Sequence, residues 1–352
     1  MMALGAALTA CDKETIGEYE PQRILLGTEL SIDEAETRTL GNGLQWDYLE
    51  TGTAVGVYIY HTGKQTIDSN YGYNNLSYTS AAKTGSSGSY KMALNLVSAD
   101  DQPYYPANSK QKVDMYAFAP RAVTTNTANN LSQNTALSYT LANDQSESAT
   151  GITNYRLADF VWGSTTGIDP KTYANRAQRV EIPMKHKMSK VTVIVAEGHG
   201  MAGRLAGSNV KLNNVKLAGT INLTNGTAAA TTNAAASSVT MVNALASGTK
   251  ITSNADYYNS DAPTDGKDHY KYTVSGIVFP QSSVSKTNLI TVTLSSTYDN
   301  TAYNCSLSAD QTFTAGNEYT YKITVNATGI SLTTSVSAWT ANNNAGSGQA
   351  VL

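Results

Sequence analysis

The sequence predicts an all-β protein of two antiparallel β-sandwich domains in tandem. Three observations carry that expectation. Apolar and polar residues alternate with a period of two in segment after segment, as in strands with one buried face. Gly, Asn, Ser and Asp punctuate those segments as turns, and no long stretch shows the 3.6-residue period of a helix. The chain has 352 residues, more than the roughly 250–300 at which a single core stops growing.

Composition excludes several other classes. Charged residues make up 14% of the chain and hydrophobic residues 41%, too apolar and too weakly charged for a disordered chain. The 24 Lys and Arg against 27 Asp and Glu leave a net charge of −3, so there is no basic surplus for nucleic acid. Tyr 22 against Phe 4 suits strands whose rings pack while their hydroxyls meet water.

The elements follow in chain order. Residues 1–11 are apolar and end in small residues, which reads as a secretory signal; a membrane span needs about 20 apolar residues. Within them Leu8-Thr9-Ala10-Cys11 resembles a bacterial lipobox, in which Cys11 is lipidated and becomes the mature first residue. Residues 12–38 form a polar tether and then a strand. Ile24, Leu26, Thr28, Leu30 and Ile32 share one face of it, while Gly27, Glu29, Ser31 and Asp33 share the other. Alternation then predicts strands at Ala54–Tyr60, Tyr90–Val97, Lys112–Ala119, Val191–Glu197, Val210–Leu217, Tyr270–Phe279, Leu289–Leu294, Tyr319–Val325 and Ile330–Val336. The polar stretches Ala142–Thr153 and Thr224–Ser238 read as loops. Pro183 sets the boundary between domains at 39–183 and 184–352, because proline breaks a strand ladder. A fragment beginning near Lys185 is therefore expected to fold alone. After Trp339 comes an Asn/Gly-rich tail, 341–352, ending in Val351 and Leu352.

No catalytic, cofactor or metal set emerges. With Cys11 acylated, Cys305 has no disulfide partner, and its alternating surroundings make it a buried, inert thiol. Gly198-His199-Gly200-Met201-Ala202-Gly203 matches G-x-G-x-x-G, but no acidic residue occurs between Glu197 and Asp256 and the next segment alternates like a strand. It reads as a hairpin loop, not a dinucleotide cradle. Ser80–Lys83 and Ser283–Lys286 fit S-x-x-K, yet Lys83-Thr84-Gly85 shares its lysine with the first and no S-D-N exists. His61, His186, His199 and His269 lack zinc spacing. Asp100, Asp101, Asp265 and Asp268 lack the spacing of a calcium loop.

Five segments, in order, resemble the fimbrillin family, the lipoprotein pilins of type V fimbriae. They are the lipobox at Cys11; Thr37-Arg38-Thr39 with Val55–Tyr60; Val113–Pro120; Met184-Lys185-His186-Lys187-Met188-Ser189-Lys190-Val191; and Tyr319–Ile323 through Trp339. The resemblance implies two transthyretin-like sandwich domains and no catalysis. It implies export as a palmitate-bearing lipoprotein to the cell outer membrane and cleavage after Arg38 by a trypsin-like maturation protease. Polymerisation with other fimbrial subunits into an extracellular fimbrium would follow by donor-strand exchange. The strand displaced on cleavage would carry Ile24, Leu26, Leu30 and Ile32. The donor would come from 329–352, with Ile330, Leu332, Val336, Trp339, Val351 and Leu352 as candidates. His186 is expected to fill an interdomain contact rather than bind a ligand. Two alternatives stay open: a non-polymerising surface lipoprotein that binds glycan or a host ligand through Tyr71, Tyr73, Tyr78, Tyr104 and Tyr105, and a fimbrial tip adhesin.

Overall fold

The computed structural model describes residues 22–30, 49–85, 90–108, 110–124, 129–146, 154–173, 178–241, 248–257, 262–338 and 348–349, the backbone alone for 331–338 and 348–349. Cys11, Ile32, Arg38, Trp339, Val351 and Leu352 lie outside these residues, and the side chains of Leu332 and Val336 are not described.

The first half contains β1 (Leu26–Leu30), β2 (Ala54–His61), β3 (Tyr73–Thr84), β4 (Lys91–Leu96), β5 (Val113–Ala119), β6 (Leu137–Thr140), α1 (Asn154–Ala158), β7 (Val161–Ile168) and β8 (Val180–His186). The second contains β9 (Ser189–Glu197), β10 (Asn209–Lys216), β11 (Ala218–Ile221), β12 (Ala228–Ala230), β13 (Ala236–Thr240), β14 (Thr249–Lys250), β15 (Tyr270–Val278), β16 (Gln281–Val284), β17 (Ile290–Thr293), β18 (Ala302–Cys305), β19 (Gln311–Phe313), β20 (Asn317–Asn326), β21 (Gly329–Ala338) and β22 (Gly348–Gln349). The protein is all-β, and every alternating segment singled out in the sequence is a strand.

Seven strands close a barrel in the order β1-β4-β3-β2-β5-β7-β8. Closure depends on β1, which pairs antiparallel with β4 and parallel with β8. Val55, Val57 and Ile59 of β2 face the barrel interior, beside Met115 and Ala117 of β5. Their neighbours Tyr58, Tyr60, Tyr116 and Phe118 point the other way, into the core of the second half. These two strands are therefore buried on both faces and form a wall shared by two cores.

The second half pairs a six-stranded sheet, β14-β15-β9-β20-β21-β22, with a four-stranded one, β13-β10-β17-β18. Val193, Val274 and Ile323 of the first meet Leu212 and Val292 of the second in one core. A smaller sheet, β12-β11-β6, takes β6 from the first half, with Tyr139 opposite Gly219.

Two sequence expectations need correction. Pro183 does not break a strand: β8 runs through it to His186, and the next strand begins at Ser189. The Val180 N–H donates to the Leu25 carbonyl (2.8 Å), so by strand alternation the N–H groups of Ile182 and Met184 also face β1. Position 183 faces β7, whose ladder covers only Gly163, Trp162 and Val161, opposite Met184, Lys185 and His186. The missing donor falls where no partner remains. The stretch 224–238 is also not all loop, since it contains β12 and the start of β13. Ala228, Ala229 and Ala230 pair with Ile221, Thr220 and Gly219, and a run of identical small side chains leaves no alternation to read.

Close approach at this ladder end fixes Gly163. A methyl group there would run into the Pro183 carbonyl and lie 2.9 Å from the Met184 Cα. Both obstacles are backbone, so Gly163→Ala is expected to lower unfolding stability by more than about 3 kcal/mol. Chemical denaturation of the full chain measures this, and an unchanged midpoint would refute the packing.

Candidate functional site

The β1 seam is the place where the sequence reading and the barrel meet. Ile24, Leu26, Thr28 and Leu30 are 1%, 0%, 0% and 5% exposed, the same face that alternation assigns. Leu26 lies opposite Leu94 of β4 and Val180 of β8, and Thr28 lies opposite Met92 and Ile182. Further bonds hold the strand in register. The Ile24 N–H donates to the Pro103 carbonyl (2.9 Å). Arg179 Nη1 donates to the Leu26 carbonyl (3.0 Å) and Gln102 Nε2 to that of Ile24 (3.2 Å). The Thr28 hydroxyl donates to the Ile182 carbonyl (2.8 Å).

The outer side of the seam differs. Gly27 sits beneath Glu181, whose carboxylate occupies the space a β-carbon would take. Glu181 Oε2 is buried with no hydrogen-bond donor. Burial pushes this carboxyl above the usual range, with the Lys91 charge opposing.

Chemically the seam is a strand position between two edges, those of β4 and β8. Burying Ile24, Leu26 and Leu30 contributes roughly 5–9 kcal/mol at about 1.5–3 kcal/mol per side chain. Without β1, the edges of β4 and β8 would present unpaired N–H and C=O groups along an apolar groove, a template for another strand. Beyond Leu30 the seam opens on a recess lined by Leu49, Pro120 and Asp159.

The donor candidates lie elsewhere. Ile330, Leu332 and Val336 belong to β21, paired along its whole length with β20 from Asn317 opposite Ala338 to Asn326 opposite Gly329. On its other side, among the described residues, β21 pairs only with the two residues of β22. In the isolated chain this strand closes its own sheet, and Ile330 is 3% exposed.

The tyrosine cluster forms but does not make an exposed platform. Tyr71 and Tyr73 rings meet edge-on at 5.7 Å. The Tyr71 hydroxyl donates to the Tyr104 carbonyl (3.0 Å), and the Tyr104 N–H donates to the Tyr73 hydroxyl (3.0 Å). Tyr78 and Tyr105 are buried, and burial pushes the Tyr71, Tyr78 and Tyr105 hydroxyls well above the ordinary tyrosine range. His186 ends β8 with Nδ1 2.8 Å from Asp159 Oδ1, both side chains largely buried. The G-x-G-x-x-G segment is a turn with Gly200 and Gly203 at positive φ, and β10, not a helix, follows it. Among the described residues, no three His, Cys, Asp or Glu side chains are placed to hold a metal.

Sequence reasoning missed Arg179 and Glu181. The signal was Val180-Glu181-Ile182-Pro183-Met184, an alternating strand hidden by its proline. Cys305 is buried as expected, and burial pushes its thiol up to about 12. Near neutral pH it stays protonated and covered. Native protein is expected to resist iodoacetamide at Cys305 and to react fully once denatured, as mass spectrometry would register; rapid native labelling would contradict the burial.

Solved structures and families place this architecture. A candidate cell adhesion protein of Bacteroides uniformis matches with a TM-score of 0.55 and 18% identity over 90% of this chain and 98% of its own. A second, from Bacteroides ovatus, matches with a TM-score of 0.56 and 17% identity over 92% and 100%. A weaker likeness, TM-score 0.44 and 9% identity, covers 90% of this chain and 99% of the tip fimbrial protein Mfa3 of Porphyromonas gingivalis, solved with a C-terminal truncation. No curated protein matches the sequence. The family model described as fimbrillin-like matches residues 37–339, most of the chain. The all-β chain with its strand-closed barrel belongs to the fimbrillin-like family.

Proposed function

We propose that the protein is a structural subunit of a cell-surface fimbria, matured by proteolysis and polymerised by strand exchange, and that it supports adhesion without catalysis. One observation carries the reading. β1 completes the barrel between two strand edges, and it lies upstream of Arg38 on the side a cut would release. Cleavage after Arg38 by a trypsin-like protease leaves β1 held only by non-covalent contacts. Its departure exposes the β4–β8 slot to a strand from 329–352 of a neighbouring subunit. Slot and donor lie on different surfaces, so the contact is heterologous and repeats into an open filament. Acyl chains on Cys11 hold the precursor at the outer membrane, two or more being needed for stable anchoring. The glycan-binding reading draws no support from tyrosines that turn inward.

Wild-type and Arg38→Ala precursors, treated with trypsin and imaged by electron microscopy, test the proposal. Filaments are expected from the wild type alone, with Arg38→Ala remaining a folded monomer. Filaments formed equally by Arg38→Ala, with residues 24–30 still attached, would overturn it.

A further inference from the structure

We infer that the β4–β8 slot selects the strand that fills it through the Ile182 carbonyl and the Glu181 carboxylate, and that it accepts residues 330–336 of a second copy in one register. This rests on the strand-exchange reading and names its determinants.

β1 is the template. Its inward side chains are Ile24, Leu26, Thr28 and Leu30, so the third position carries a hydroxyl in an otherwise apolar row. Thr28 is fully buried, and its Oγ1 donates to the Ile182 carbonyl at 2.8 Å. A hydroxyl buried without a partner costs about 1–3 kcal/mol. A strand placing its threonine elsewhere on the inward face pays that penalty and sets an apolar group against the carbonyl. The pattern of Ile, Leu or Val at the first, third and seventh positions with Thr at the fifth occurs at only two places in the sequence. One is Ile24–Leu30. The other is Ile330-Ser331-Leu332-Thr333-Thr334-Ser335-Val336.

Slippage is discriminated. A shift of one residue turns Ser331, Thr333 and Ser335 inward. A shift of two sets Thr334 in the Leu26 position and Val336 against the Ile182 carbonyl. Only the matched register puts Thr334 where Thr28 was.

The outer face gives the exchange a direction. In the matched register Thr333 replaces Gly27 beneath Glu181. A β-carbon there would come within 2.6 Å of Glu181 Oε2, but that atom ends a flexible side chain and can swing aside. The Thr333 hydroxyl then offers a donor to a carboxylate oxygen that has none while β1 is in place. In its own sheet, among the described residues, β21 is held by β20 on one side and by only the two residues of β22 on the other, so the exchange trades its β20 ladder for the two edges of the slot.

The test uses the full chain cleaved after Arg38 and labelled synthetic peptides spanning residues 329–338. The native peptide is expected to bind and to block filament growth. Thr334→Val should bind at least tenfold more weakly, and Thr334→Ser should bind nearly as well as native. Thr333→Gly should bind several-fold more weakly to the wild type, a preference that Glu181→Ala protein should lose. Equal binding of the native and Thr334→Val peptides would overturn the register inference while strand exchange stands. Binding of the native peptide to the uncleaved chain would place the contact outside the slot and overturn it as well. Cleaved protein that binds no peptide and forms no filament would overturn the strand-exchange reading itself.

Discussion

A fragment comprising residues 184–352 is expected not to fold on its own, contrary to what the separation at Pro183 suggests in the sequence. The core of the second half is completed by the first. Tyr58, Phe118, Leu131, Tyr155 and Phe160 pack in the same cluster as Val193, Leu212, Ile277 and Tyr321. Covering five such side chains contributes on the order of 10 kcal/mol, comparable with the whole stability of an ordinary domain, about 5–15 kcal/mol. Backbone pairing crosses the same boundary. The Leu141 N–H donates to the Leu217 carbonyl (2.9 Å), and the Leu223 N–H donates to that of Asn134 (2.8 Å). Gln145, fully buried, serves Ile277 as a neighbouring strand would: its Nε2 donates to the Ile277 carbonyl and its Oε1 accepts the Ile277 N–H, both at 2.8 Å. Trp162 Nε1 closes a further link to the Leu223 carbonyl (2.7 Å). Without residues 58–162 these groups lose their partners and an apolar face meets water. Size-exclusion chromatography and thermal circular dichroism are expected to show an aggregated fragment with no cooperative transition. A monomer that melts cooperatively would overturn the shared-core account.

What was legible in the sequence follows from which strands alternate regularly, whether one face or both are buried. β9, β10 and β20 carry Val191-Val193-Val195, Val210-Leu212 and Tyr319-Tyr321-Ile323-Val325 on their buried sides, and period-two reading finds them. β1 was legible for the same reason, down to its inward residues. β3 was not. Its inward positions include Ser80, its register shifts between Ser80 and Lys83, and Asn75 takes a positive φ, so the alternation is blurred. β7, Val-Trp-Gly-Ser-Thr-Thr-Gly-Ile, pairs through backbone where Gly163 lies against β8, and its sequence shows no alternation to mark it as a strand. The seam's polar devices were the least visible part. Glu181 acts on Gly27, more than 150 residues away in sequence, and only the parallel pairing of β1 with β8 brings them together.

The truncation Leu26→Ala is expected to separate the precursor from the fibre. In the uncleaved chain Leu26 is fully buried between Leu94 and Val180, and shortening such a leucine costs about 2–5 kcal/mol. Denaturant unfolding of the lipid-free precursor should show that loss. If β1 leaves on maturation, the side chain is absent from the assembled filament, and filaments grown from Leu26→Ala protein should dissociate at the same denaturant concentration as wild type. Leu94→Ala is the control, because Leu94 lines the slot from β4 and is 3% exposed. It meets β1 in the precursor and, on the strand-exchange proposal, would meet the donor strand in the fibre, so its truncation should weaken both. The slot also empties more readily in Leu26→Ala, since less apolar surface holds β1 after cleavage, so filament growth should begin sooner than in wild type. Equal weakening of precursor and filament by Leu26→Ala would mean that β1 stays in the mature subunit, and strand exchange at this seam would then be excluded.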